Sequence, residues 1–167
     1  MAFAASHILS TVVVIDFFRQ KFPKLKKKIP LHFVYIAGFF SIIPDLDFVA
    51  YWVFGLFTDI HFGHKFISHS VLVPMIMLVF ALFLYRIKSK WGCLALLCSF
   101  SYAGHIFLDY LVSWKYAYLW PFLSVEIGFP LIPEFFKNWF WWAALDAFIL
   151  VAWLLLALKY NRIKDFV

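Results

Sequence analysis

Five long apolar runs, separated by short connections that carry most of the basic residues, constrain this chain more than any motif in it. The runs cover roughly residues 2–18, 29–57, 70–85, 91–113 and 139–158, and the third holds no acid, base or histidine. Segments so apolar and so long read as membrane spans rather than as core helices of a soluble domain. Composition agrees: 65% of the 167 residues are apolar, 23% are aromatic and only 14% are charged, far from soluble averages. The expected fold is all-α, a polytopic membrane helical bundle of about five spans. No repeat, low-complexity tract or polar linker divides the chain, so residues 1–167 are expected to form a single membrane-embedded domain.

The net charge of +6 would suit nucleic acid only if the basic residues shared a soluble face, and they do not. Residues 19–28, 86–90 and 159–164 hold twelve Lys and Arg and no acid, whereas 58–68 and 114–138 hold three Lys and three acids. The positive-inside rule then orients the chain with its N-terminus out and its C-terminus in. The expected location is a bacterial inner membrane, crossed several times. The basic clusters also suit anionic headgroups, so the partner expected is membrane lipid, as environment and as substrate, and not nucleic acid. Nothing in the sequence sets an oligomeric state. The first run has no basic residue before it and a basic cluster after it, unlike a cleavable signal, and is expected to stay attached. Cys93 and Cys98, five apart on one helix and so ~140° apart around it, should remain reduced.

Polar residues interrupt the runs at a few places. The second run is broken at Ser41-Ile42-Ile43-Pro44-Asp45-Leu46-Asp47, where Pro44 removes a backbone donor and disfavours helix at Ile43. A broken span survives only where protein or a wet cavity surrounds it, so Asp45 and Asp47 should face inward. Three of the six histidines, His61, His64 and His69, fall within ten residues at the entry to the third run. His105 and Asp109, four apart, project from one face of the fourth span. His7 lies in the first run. On the topology above, all of these fall in the outer half of the membrane.

An aspartate inside a span costs ~2.5–3.5 kcal/mol on insertion scales, so several together call for a compensating partner. A divalent metal is one. The candidate ligands are His7, Asp45, Asp47, His64, His69, His105 and Asp109, enough for one or two ions. Asp45 and Asp47 cannot share one face of a regular helix, but an unwound turn could aim both at one centre or let them straddle two. Imidazole and carboxylate without thiolate point to a divalent transition metal, zinc first, with manganese or iron as alternatives. Such an ion lowers the pKa of a bound water and prepares it to attack a phosphoryl or carbonyl group. Asp45, Asp47, His64 and Asp109 are the candidate catalytic residues. His61 reads as a solvated loop residue and His32 as a headgroup contact at the inner interface. Asp16 has Arg19 three residues on as a partner. Asp146 reads either as a group that orients a ligand histidine or as a helix-to-helix hydrogen-bonding residue. Ser68 and Ser70 place hydroxyls beside His69, but no strained elbow motif surrounds them.

The order of these motifs, from His7 through Pro44-Asp45-Leu46-Asp47, His64-Lys65-Phe66-Ile67-Ser68-His69-Ser70 and Gly104-His105-Ile106-Phe107-Leu108-Asp109 to Trp120-Pro121-Phe122, resembles the YdjM-like family of bacterial inner-membrane proteins. Members are described as metal-dependent hydrolases, some under LexA control, and the resemblance implies the same seven ligands. The pattern is also distantly similar to the His/Asp set of zinc-dependent phospholipases C, which implies phosphodiester substrates. Lys65 and Ser68 stand where the family often has Arg and Thr, and a glycine usual between the last Asp and the Pro-Phe pair is missing. Those departures bear on substrate contacts more than on metal binding.

The function expected is therefore a membrane-embedded metal-dependent hydrolase of a lipid or other phosphoester, with residues 114–138 as an aromatic and proline-rich interfacial lid. A divalent-metal or proton transporter would need polar residues continuing to the inner side, and the third and fourth spans offer few. A haem protein with paired axial histidines fits poorly with the clustered aspartates. A membrane protein with a metal staple and no catalysis is the remaining alternative.

Overall fold

The computed structural model describes residues 4–47, 53, 67–112, 115–129 and 139–159. Among the described residues the helices with defined bounds are α1 (Ala4–Lys21), α2 (Pro23–Lys28), α3 (Leu31–Phe40), α4 (Leu72–Ile87), α5 (Ser89–Leu111) and α6 (Trp139–Lys159), and Leu46, Asp47 and Val53 are helical as well. Helix order and type follow the apolar runs, and an antiparallel bridge pairs Tyr116 with Ile127. By length and composition α5 is long and apolar enough to cross a bilayer, while residues 31–45, 72–87 and 143–156 form shorter apolar helical stretches. The basic connection after α1 is itself helical over Pro23–Lys28, with proline in its first turn, where its missing N–H costs nothing.

The second run breaks where its sequence requires. α3 stops at Phe40, and the Ser41 hydroxyl donates to the Gly38 carbonyl at 2.6 Å. A single 3₁₀ turn, Ile43–Asp45, follows. Leu46 points outward, half exposed, and Asp45 inward.

Two buried clusters hold the helices. In the first, Val12 and Ile15 of α1 interlock with Phe33, Val34 and Ala37 of α3, with Cys93, Leu94 and Leu97 of α5 against them. Gly38 permits this approach, since a Cβ there would meet Val12 Cγ2 at 2.6 Å. The second joins Tyr102 and Ile106 of α5 to Tyr116 and Tyr118. α4 and α5 form a hairpin turned at Lys88, and Gly92 packs so tightly that an added Cβ would lie 2.1 Å from Tyr85 Cα. α6 packs against α1. The outward faces of α4 and α6 carry exposed Met75, Ile76, Val79, Phe80, Phe83, Phe148, Val151 and Leu155, an apolar surface that suits hydrocarbon rather than water. Both cysteines are free, Asp16 pairs with Arg19 at 3.2 Å, and His32 is exposed at the start of α3, far along that helix from the 3₁₀ turn.

Candidate metal centre

Four of the seven candidate ligands meet at one point. Asp45 comes from the 3₁₀ turn, His69 from the turn before α4, and His105 and Asp109 from successive turns of α5. One donor atom from each lies within 4.8 Å of all the others. His69 Nε2 is 3.3 Å from His105 Nε2, 3.5 Å from Asp45 Oδ1 and 3.5 Å from Asp109 Oδ2. His105 Nε2 is 3.7 Å from the same two carboxylate oxygens. Tetrahedral zinc with bonds of ~2.1 Å sets neighbouring donor atoms about 3.4 Å apart; five of the six edges lie near that spacing, and the sixth, between Asp45 and Asp109, stays within 4.8 Å.

Burial sharpens the point. His69 and His105 are 0% exposed, Asp109 is 1% and Asp45 is 21%. Asp45 Oδ1, both Asp109 oxygens and His105 Nδ1 are buried without a hydrogen-bond partner among the described residues. Polar atoms removed from water in this way carry a large penalty unless something binds them. A cation among the four donor atoms would meet that need for Asp45 Oδ1 and Asp109 Oδ2, and the donor set, two imidazoles and two carboxylates, fits zinc, manganese or iron.

The tautomer of His69 follows from its neighbours. Ser68 Oγ donates to Asp47 Oδ2 and lies 2.9 Å from His69 Nδ1. Its single proton is spent on Asp47, so it accepts from Nδ1–H, which leaves the Nε2 lone pair for the centre. Asp47 is thus joined to the cluster through a hydroxyl and not as a member of it, because the tight turn that sends Asp45 inward sends Asp47 toward Ser68. Tyr102, three residues before His105 on the same face of α5, donates to the Ser68 carbonyl at 2.6 Å. The Ser70 hydroxyl donates to the Trp120 carbonyl, and Val71 N–H to the Tyr118 carbonyl at 2.9 Å. The 115–129 segment is tied to the site by these bonds, and Tyr116 packs on the His69 ring at 4.7 Å. Burial, with the Asp109 and Asp45 carboxylates nearby, pushes the Tyr116 phenol well above its ordinary range, so it stays neutral.

His7 stands on the far side of Asp109. Its Nε2 is 3.4 Å from Asp109 Oδ1, and its ring stacks on His105 with centroids 3.9 Å apart. It is completely buried, and neither ring nitrogen has a hydrogen-bond partner among the described residues. His64 and His61 lie outside the described residues. Of the functional groups that the sequence understates, Ser68 and Tyr102 had local signals, a hydroxyl next to a ligand and a phenol at helical spacing from one. Tyr116 had none.

A family model, the YdjM inner membrane protein, matches residues 1–164. The chain belongs to the YdjM inner membrane protein family. The family name places it in an inner membrane, in line with the resemblance carried by the ordered His and Asp motifs. No curated protein and no solved structure matches this chain.

Proposed function

We propose that this protein is a membrane-embedded metal-dependent hydrolase that acts on a lipid or other phosphoester from the outer side of the bilayer. The observation that carries the reading is the convergence of Asp45, His69, His105 and Asp109 within 4.8 Å. These four would hold the ion, with zinc the first choice, and His7 and Asp47 would complete the site as further ligands, with a second ion, or as its buttresses. When bound, such an ion supplies Lewis acidity and a water of lowered pKa. The chain's own part is to hold the donors in place: Ser68 keeps the His69 proton on Nδ1, and Tyr102 anchors the Ser68 backbone.

Lipid is favoured as substrate by what lies next to the site. A cavity of about 280 Å³ is lined by Val71, Pro74, Ile106, Tyr110, Tyr118 and Leu119 among others. Its lining is almost wholly apolar and shares α5 and the segment around Tyr118 with the site, which suits an acyl chain. The topology that supports action at the outer leaflet is the five-span, N-out arrangement drawn from the charge count.

Elemental analysis of the purified protein, followed by turnover on a panel of phospholipids, tests the proposal. The expected result is one or two equivalents of transition metal, lost in His105→Ala and Asp45→Ala, with phosphoester cleavage that a chelator stops. Full metal content in both variants would end the metal assignment. Metal retained without turnover on any lipid would leave a structural staple in place of a hydrolase.

A further inference from the structure

α1 begins with an electrostatic deficit. A helix leaves its first N–H groups without intrahelical partners and carries partial positive charge at that end, yet α1 has no acid in its first turn. The acid comes from the other end of the chain. Asp146, the only acid in α6, accepts from Ala5 N–H at 3.2 Å through Oδ2 and from both the N–H and the hydroxyl of Ser6 through Oδ1. The next residue is His7, whose ring is fully buried between His105 and Asp109.

We propose that Asp146 is a positioning residue for the metal centre: by capping α1 from α6, it sets the rotation and depth of α1 and so seats the His7 imidazole against Asp109 and His105. Nothing in the first turn of α1 can do this from within the helix, because its only polar side chains there are Ser6, which is itself bound to Asp146, and His7. The carboxylate does not touch the imidazole. It acts through the backbone one residue away, which is why a search for a direct partner of a ligand histidine would pass it over. The same contact explains what α6 contributes to the centre. Its outward face is apolar and its packing partner is α1, so α6 holds the acid at the height of the site. The inference rests on the reading of His7 as part of the metal centre.

The test is a double-mutant cycle on the full-length protein, with zinc affinity measured by competition against a chelating dye. Asp146→Ala and His7→Ala are each expected to weaken zinc binding by about 10- to 100-fold, the range for residues that orient ligands. The double variant should be no weaker than His7→Ala alone, because groups that act as one unit are not additive. Asp146→Asn, which keeps an acceptor oxygen, should recover most of the loss. Ser6→Ala, which removes one of the three bonds and spares the helix, should give a smaller loss of the same kind, and serves if Asp146→Ala does not fold. Unchanged affinity in Asp146→Ala and Ser6→Ala, or effects that multiply in the double variant, would overturn the proposal. If His7→Ala binds zinc normally while His105→Ala does not, the role given to Asp146 falls and the four-residue centre stands.

Discussion

Ser68 is a small residue whose meaning depends on two protons. Its own goes to Asp47, and it receives the Nδ1 proton of His69, so a single hydroxyl decides which imidazole nitrogen faces the cluster. Ser68→Ala leaves the His69 tautomer unfixed and is expected to lower metal affinity about 10- to 100-fold, the usual effect of removing an orienting partner. Ser68→Thr should restore it. Titration of the purified variants with zinc checks both, and equal affinity in the wild type and Ser68→Ala would remove this role. From the sequence, the hydroxyl beside His69 was visible but its direction was not, since the choice between nucleophile and hydrogen-bond bridge turns on Asp47 being within reach. Asp45 and Asp47 were legible as inward-facing acids. That one enters the donor cage and the other reaches it through Ser68 depends on the φ and ψ angles of one 3₁₀ turn.

At the level of elements, glycine marks where two helices come closest. The α4–α5 hairpin turns on Lys88, and the hypothetical Cβ of Gly92 falls against the Tyr85 backbone, which cannot swing away as a side chain can. Gly92→Ala should therefore force the hairpin open, at the ~1–3 kcal/mol typical of overpacking, and would show as a lower unfolding temperature in detergent. The hairpin also carries His69 at the entry to α4 and His105 and Asp109 on α5, so the same variant should weaken metal binding. Unaltered unfolding would mean that the helices have slack at this turn. Helix existence and order were legible in the apolar runs, and the ends of α1, α4, α5 and α6 fell within a few residues of those expected, while the far end of the second run lies outside the described residues. The helical character of 23–28 was not, because a run of lysines after a proline gives no apolar period to read.

For the whole molecule, the cluster would work as a cross-link once an ion is bound. Asp45, His69 and the His105–Asp109 pair belong to segments far apart in sequence, and their donor atoms lie within 4.8 Å of one another. An ion that binds only the folded chain stabilises it by about 2.7 kcal/mol at a free concentration 100 times its Kd. Stripping metal with a chelator is thus expected to lower the unfolding temperature, and zinc added back should restore it in the wild type but not in His105→Ala. A chelator-insensitive transition in protein shown to have lost its metal would argue that packing alone holds these segments.

The sequence by itself determined the apolar runs, the break before Asp45, the reduced cysteines, the ordered His and Asp motifs and, through them, the family. These are local or periodic properties: hydropathy, proline chemistry and i, i+4 spacing need no knowledge of distant residues. Only the tertiary structure decided that Asp45, His69, His105 and Asp109 share one centre, that His7 stacks behind His105, that Ser68 bridges Asp47 to His69, and that Asp146 caps α1. Each of these joins side chains between about 20 and 140 residues apart, or fixes the direction of a neighbour, and the free energy that selects them comes from packing and from the cost of burying polar atoms unpaired.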